Sequence, residues 1–117
     1  AVWVATIQFG HGSARLDERD LGVLQQVVEV WERLGGRLRV VGHASGRAGG
    51  SDRIKQQMAN FQASLARANV VAQTLMGLGV GPSDVIVEAQ SDGDPLYRET
   101  TPAGEAGNRR AEIFIVR

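Results

Sequence analysis

The sequence predicts a two-layer α/β sandwich (α+β in arrangement): a mixed four-stranded sheet with two main helices on one face, in the order β-α-β-α-β-β. Three observations carry this. Two segments repeat apolar residues at helical spacing and stop at glycine. Four short runs are rich in β-branched and other large apolar residues. Strands and helices alternate until the last two strands follow each other directly. At 117 residues, 43% apolar and 22% charged, the chain can build one hydrophobic core, so a single domain over 1–117 is expected.

Val2 to Phe9 is β-branched and aromatic, and Gly10 to Gly12 stops it, which reads as a buried first strand. Ser13 or Asp17 can cap the next element. Leu21, Leu24, Val27, Val28, Trp31 and Leu34 then recur at helical spacing up to Gly35-Gly36. Arg37 to Gly42 alternates briefly and turns apolar, a second strand, and the glycines from Gly42 to Gly50 mark a loop. Ser51 or Asp52 is a fair N-cap for a long helix. Its apolar seam, Ile54, Met58, Phe61, Leu65, Ala68, Ala72 and Leu75, advances in steps of four and three to the stop at Gly77 and Gly79. A turn at 80–84 leads into a third strand, Val85 to Ala89. A polar loop from Ser91 to Asn108 precedes the closing strand, Ala111 to Val116, expected to run antiparallel to its neighbours.

Thirteen basic and thirteen acidic residues balance, which disfavours a general electrostatic grip on nucleic acid or an anionic membrane. No apolar run reaches the ~18 residues of a membrane span. The chain opens directly in strand-like sequence, as a mature or excised domain would, with any membrane tether expected in a segment outside it. Cysteine is absent, which excludes disulfides and thiol chemistry. His11 and His43, the only histidines, form no metal-ligand spacing, and no metal or cofactor is expected. Gly46-Arg47-Ala48-Gly49-Gly50 lacks the Gly-Lys-Ser/Thr ending of a phosphate loop, and no serine sits in a G-x-S-x-G elbow. An enzyme would have to use His43 with Asp52 or Asp92, without any nucleophile–base pattern. A binding role is the better expectation.

Asn60, Ser64 and Arg67 fall on one line of the second helix, within roughly 60° and clear of the apolar seam. Such a ridge is either a solvated face or, beside the glycine-bearing loop, a place where a guanidinium grips a carboxylate through two parallel hydrogen bonds. Asn108-Arg109-Arg110 offers a second guanidinium, or else a strand-entry turn with a salt bridge to Glu88, Glu105 or Glu112. His43 at a strand end reads as capping or hydrogen-bonding the loop beside it.

Together, Val41-Gly42-His43, then Asn60 through Ser64 to Arg67-Ala68, then Asp94-Pro95, then Asn108-Arg109-Arg110-Ala111-Glu112-Ile113 resemble the OmpA-like peptidoglycan-binding domain. Ile7-Gln8-Phe9 with Gly12-Ser13-Ala14 and Leu16 extends the resemblance to nearly the whole chain. The resemblance implies a non-catalytic module that clasps the peptidoglycan stem peptide at diaminopimelate and tethers an outer-membrane or other envelope protein to the cell wall, in the periplasm. It implies that Arg67 grips a carboxylate, with Asn60 and Ser64 lining the same region.

The chain departs from the family where Thr-Asp usually follows Gly-His and the aspartate faces the ligand's ammonium group. Ala44-Ser45 stands there instead, and serine cannot neutralise a cation. The longer following loop suggests that Asp52, or Ser45 with backbone carbonyls, takes the role, and His11 is expected near the cleft. The alternative is an envelope assembly module that kept the fold for protein contacts, as a homodimer for example.

Overall fold

The computed structural model describes residues 1–44, 52–91 and 107–117. Its elements are β1 (Val2–Gln8), α1 (Glu18–Leu34), β2 (Arg37–His43), α2 (Arg53–Gly77), β3 (Val85–Ser91) and β4 (Arg110–Val116), with a 3-10 turn at Pro82–Asp84. Asp17 caps α1 reciprocally with Asp20: each side chain accepts from the other's backbone N–H, at 2.8 and 3.0 Å. Asp52 caps α2 by accepting from the Ile54 and Lys55 amides at 3.0 and 3.2 Å. The far end of α2 closes in a Schellman motif, with Val80 N–H donating to Leu75 O and Gly79 N–H to Met76 O, both at 3.1 Å.

The four strands form one sheet in the order β1-β4-β2-β3. β4 lies between β1 and β2 and is antiparallel to both, while β2 and β3 pair in parallel across α2. The closing strand is thus antiparallel, as its direct connection predicts. Ala111, Ile113 and Ile115 point from β4 into a core shared with Ala5 and Ile7, Leu38 and Val40, Leu24 and Val27, and Ala68, Val71 and Leu75. Both helices therefore cover the same face. On the other face Arg39 pairs with Glu88 at 2.9 Å and stands 5.5 Å over the Phe114 ring.

Helix α2 and strand β2 meet at Gly42. A Cβ built there would lie 1.8 Å from the backbone oxygen of Ser64 and 3.1 Å from the Ala68 methyl. Only glycine allows this approach, and it fixes the register of the long helix on the sheet.

The apolar seam of α2 is continuous in sequence but not in burial. Ala68, Ala72 and Leu75 are buried, whereas Ile54, Met58 and Phe61 are 69%, 57% and 50% exposed. The reason is length. Twenty-five helical residues span about 37 Å, against about 23 Å for a seven-residue strand. With Ser64 seated over Gly42, near the end of β2, the first turns of α2 overhang the sheet.

Candidate functional site

The overhang begins where the polar line of α2 lies, and the line turns inward. Asn60, Ser64 and Arg67 are all buried, so the solvated-face alternative does not hold. Their direction follows from the contact at Gly42: the helix flank that presents Ser64 to β2 presents Arg67 to the strand's end one turn later. Ser64 donates its hydroxyl to Asn60 O at 2.6 Å and sits at the helix–strand crossing with no exposed surface. Ser64 therefore packs at the crossing and sets how closely α2 approaches β2.

Arg67, 2% exposed, is held by three backbone carbonyls from two segments. Nε donates to Ser13 O at 3.0 Å, Nη1 to His43 O at 3.1 Å and Nη2 to Gly10 O at 3.4 Å. Its guanidinium carbon lies 5.6 Å over the Phe9 ring. Residues 10–13 form a turn closed by Ser13 N–H to Gly10 O at 3.0 Å, and Gly12, at φ +64°, takes the left-handed conformation that the turn requires. Two outward carbonyls of this turn thus wrap the guanidinium, and exposed His11 stands within the same four residues.

No carboxylate pairs with Arg67 among the described residues. Burial, and next the nearby charge of Arg109, lower its pKa to about 10, so it remains charged at neutral pH. Of its five N–H groups, three meet carbonyls, leaving one hydrogen on each terminal nitrogen without an acceptor among the described residues. That is the donor pair a carboxylate accepts in parallel.

Arg109 and Arg110 point to opposite faces, as successive residues entering a strand do. Arg109 Nε donates to Phe9 O at 3.2 Å, and Phe9 N–H returns to Arg109 O at 2.7 Å. Buried Arg110 lies on the other side, 3.6 Å from Glu112 and 3.5 Å from Asn108 Oδ1, which is the salt-bridge alternative for this tripeptide. His43 Nε2 meets the same Glu112 carboxylate at 2.7 Å. The histidine is therefore bound across the sheet to β4, and only its backbone carbonyl serves Arg67.

Ala44 is buried immediately after that carbonyl, whereas Ser45 lies outside the described residues. Asp52 does not reach the site. It is the cap of α2, fifteen positions before Arg67 and so about 22 Å away along the helix axis, beyond the span of one amino-acid ligand. The fold thus places Asp52 and Arg67 at different levels of the same helix and does not bring the two side chains together. Sequence reasoning did not find the Gly10 and Ser13 carbonyls or the Phe9 ring. The signal was the Gly10-His11-Gly12-Ser13 run, whose glycines read only as a strand stop.

Among the described residues no group of histidines and carboxylates could hold a metal, and no helix is long and apolar enough to cross a membrane. Known proteins resemble this chain over nearly its whole length. The OmpA family model matches residues 8–109. The peptidoglycan-binding protein ArfA of Mycobacterium tuberculosis is 28% identical over 116 residues, which are 98% of this chain and 33% of ArfA. The chain thus spans about a third of the curated relatives it matches. The cell wall anchor of the T6SS from Pseudomonas aeruginosa is 26% identical with a TM-score of 0.77, over 94% of this chain and 78% of that one. The peptidoglycan-associated lipoprotein from Burkholderia pseudomallei, 21% identical, superposes with a TM-score of 0.82 over 95% of this chain and 89% of that one.

Proposed function

This chain belongs to the OmpA family, and from that premise we propose that it is a non-catalytic peptidoglycan-binding domain whose Arg67 holds a carboxylate of the diaminopimelate-bearing stem peptide. The observation that carries the reading is Arg67 itself. It is a buried guanidinium fixed by three carbonyls and, among the described residues, without an acid and with one donor on each terminal nitrogen that has no acceptor. Burying a cation without a counter-charge costs stability. A ligand carboxylate removes that cost on arrival, which makes the site selective for acids. Buried Ala44 follows the His43 carbonyl that Arg67 binds, His11 stands at the turn that supplies two carbonyls, and Asn60 lies about two helical turns before Arg67. Ser45, the residue expected next to the ligand's ammonium group, lies outside the described residues.

Binding through so few polar contacts is modest for a single stem and is multiplied along a polymeric wall. The domain so reads as a periplasmic tether joining an outer-membrane or other envelope protein to the cell wall, a reading supported by two similar proteins being named a cell wall anchor and a peptidoglycan-associated lipoprotein. The test is co-sedimentation with purified sacculi, comparing wild type with Arg67→Ala and Arg67→Lys, each checked for folding by circular dichroism. Wild type pellets, Ala stays in solution, and Lys is retained weakly because it keeps the charge but not the two-pronged geometry. Equal retention of all three refutes the site.

A second reading rests on the exposed Ile54, Met58 and Phe61, which with Gln57 and Gln62 line a shallow depression of about 260 Å³ on α2. Apolar exposure of this kind suits a protein contact, and a chain that self-associates in sedimentation yet ignores sacculi is an assembly module instead.

A further inference from the structure

Arg67 does not stand alone. The two guanidinium groups are tied to consecutive carbonyls, Arg109 through Nε to Phe9 O and Arg67 through Nη2 to Gly10 O, at 3.2 and 3.4 Å. The Phe9 ring lies beneath Arg67, and the Phe9 amide holds the Arg109 backbone. One short piece of chain therefore fixes both cations in place. Neither is paired with a carboxylate among the described residues, and both terminal nitrogens of Arg109 are without an acceptor among them. The charge of Arg109 also helps to lower the pKa of Arg67.

Like charges held together in a partly dehydrated place repel, and a single carboxylate neutralises only one of them. The arrangement is most favourable when two negative charges arrive together. We propose that Arg67 and Arg109 read the ligand jointly as a dianion, one carboxylate on each guanidinium, so that the site separates stem peptides with free acids from amidated ones. This rests on the stem-peptide reading above and adds its charge specificity. Arg109 is then a specificity-determining residue, and the degree of amidation of a cell wall sets how well the domain holds it.

The test uses isothermal titration of the folded chain with the tetrapeptide L-Ala-γ-D-Glu-meso-diaminopimelate-D-Ala and with its three mono-amides, one per carboxylate. In wild type, two of the three mono-amides bind about tenfold weaker than the free acid, since each loses one charge-assisted contact. In Arg109→Gln only one mono-amide keeps its penalty. Arg109→Lys keeps both, which separates the charge from the Phe9 hydrogen bond and covers the case in which Gln perturbs folding. The proposal is overturned if wild type penalises only one mono-amide, or if Arg109→Gln still penalises two. Failure of wild type to bind the free-acid tetrapeptide overturns the stem-peptide reading and this one with it. A single penalty in wild type removes only the second cation's role.

Discussion

Gly42→Ala puts fold and site to one test. The added methyl would sit 1.8 Å from Ser64 O, a backbone atom of α2 that no rotamer can move aside. An ordinary carbon–oxygen contact is about 3.3 Å or more, so helix and strand must part by about 1.5 Å. Overpacking a core typically costs about 1–3 kcal/mol, and a clash with backbone belongs at the upper end or beyond; we expect at least 3 kcal/mol. At about 4 °C per kcal/mol for a domain of this size, the melting temperature should fall by about 12 °C or more. The same parting acts on the site. Arg67 lies three residues beyond Ser64 on the helix, and its 3.1 Å bond to His43 O reaches the residue after Gly42 on the strand. Sacculus binding should therefore fall sharply even at temperatures where the variant is folded. Denaturant unfolding and co-sedimentation at low temperature measure the two effects. A Gly42→Ala protein within 1 kcal/mol of wild type that still pellets would show that the close helix–strand approach does not position the guanidinium.

Four further outcomes are expected. Asp52→Ala should cost about 1 kcal/mol of stability through loss of the α2 cap and leave peptide affinity unchanged, a pairing that titration and melting together check. Glu112→Ala strips the carboxylate shared by buried His43 and Arg110; a loss of about 2–3 kcal/mol in urea unfolding is expected, against a null effect if those side chains re-pair. Phe61→Gln should change stability by less than about 0.5 kcal/mol, because the ring is half exposed on the overhang. The Asp17 carboxyl is held below its usual pKa, first by the Asp20 amide. A depressed carboxylate gives stability that is present above its unfolded value of 3.8 and is lost as pH falls through the lower, folded one. Asp17→Asn, still a good cap, should therefore lose less stability than wild type on acidification below pH 4.

Much of the site was legible because motif spacing survives folding. The line of Asn60, Ser64 and Arg67 is a property of helix geometry, and Asn108-Arg109-Arg110 opens the last strand as read. What spacing could not give was direction. A ridge clear of an apolar seam looks solvated until the helix is seated, and Gly42, not the seam, seats it. The seam itself misled at Ile54, Met58 and Phe61, because periodicity states which residues share a flank and not how far the partner surface extends beneath it. Asp52 had the right chemistry for an ammonium partner and was linked to the site only by loop length, a weak guide to distance; its place as an N-cap, also legible, puts it at the far tip of α2.

Local patterning in the chain determined the elements, their order and the family, since each depends on residues within a few turns or strand repeats of one another. Tertiary structure alone decided that β4 enters between β1 and β2, that the Gly10–Ser13 turn lends its carbonyls to a cation 54 residues away, and that two arginines far apart in sequence share one short stretch of backbone. Those relations join segments that no local periodicity connects. They arise only when Gly42 lets the helix down onto the sheet and brings its buried charge against the ends of the strands.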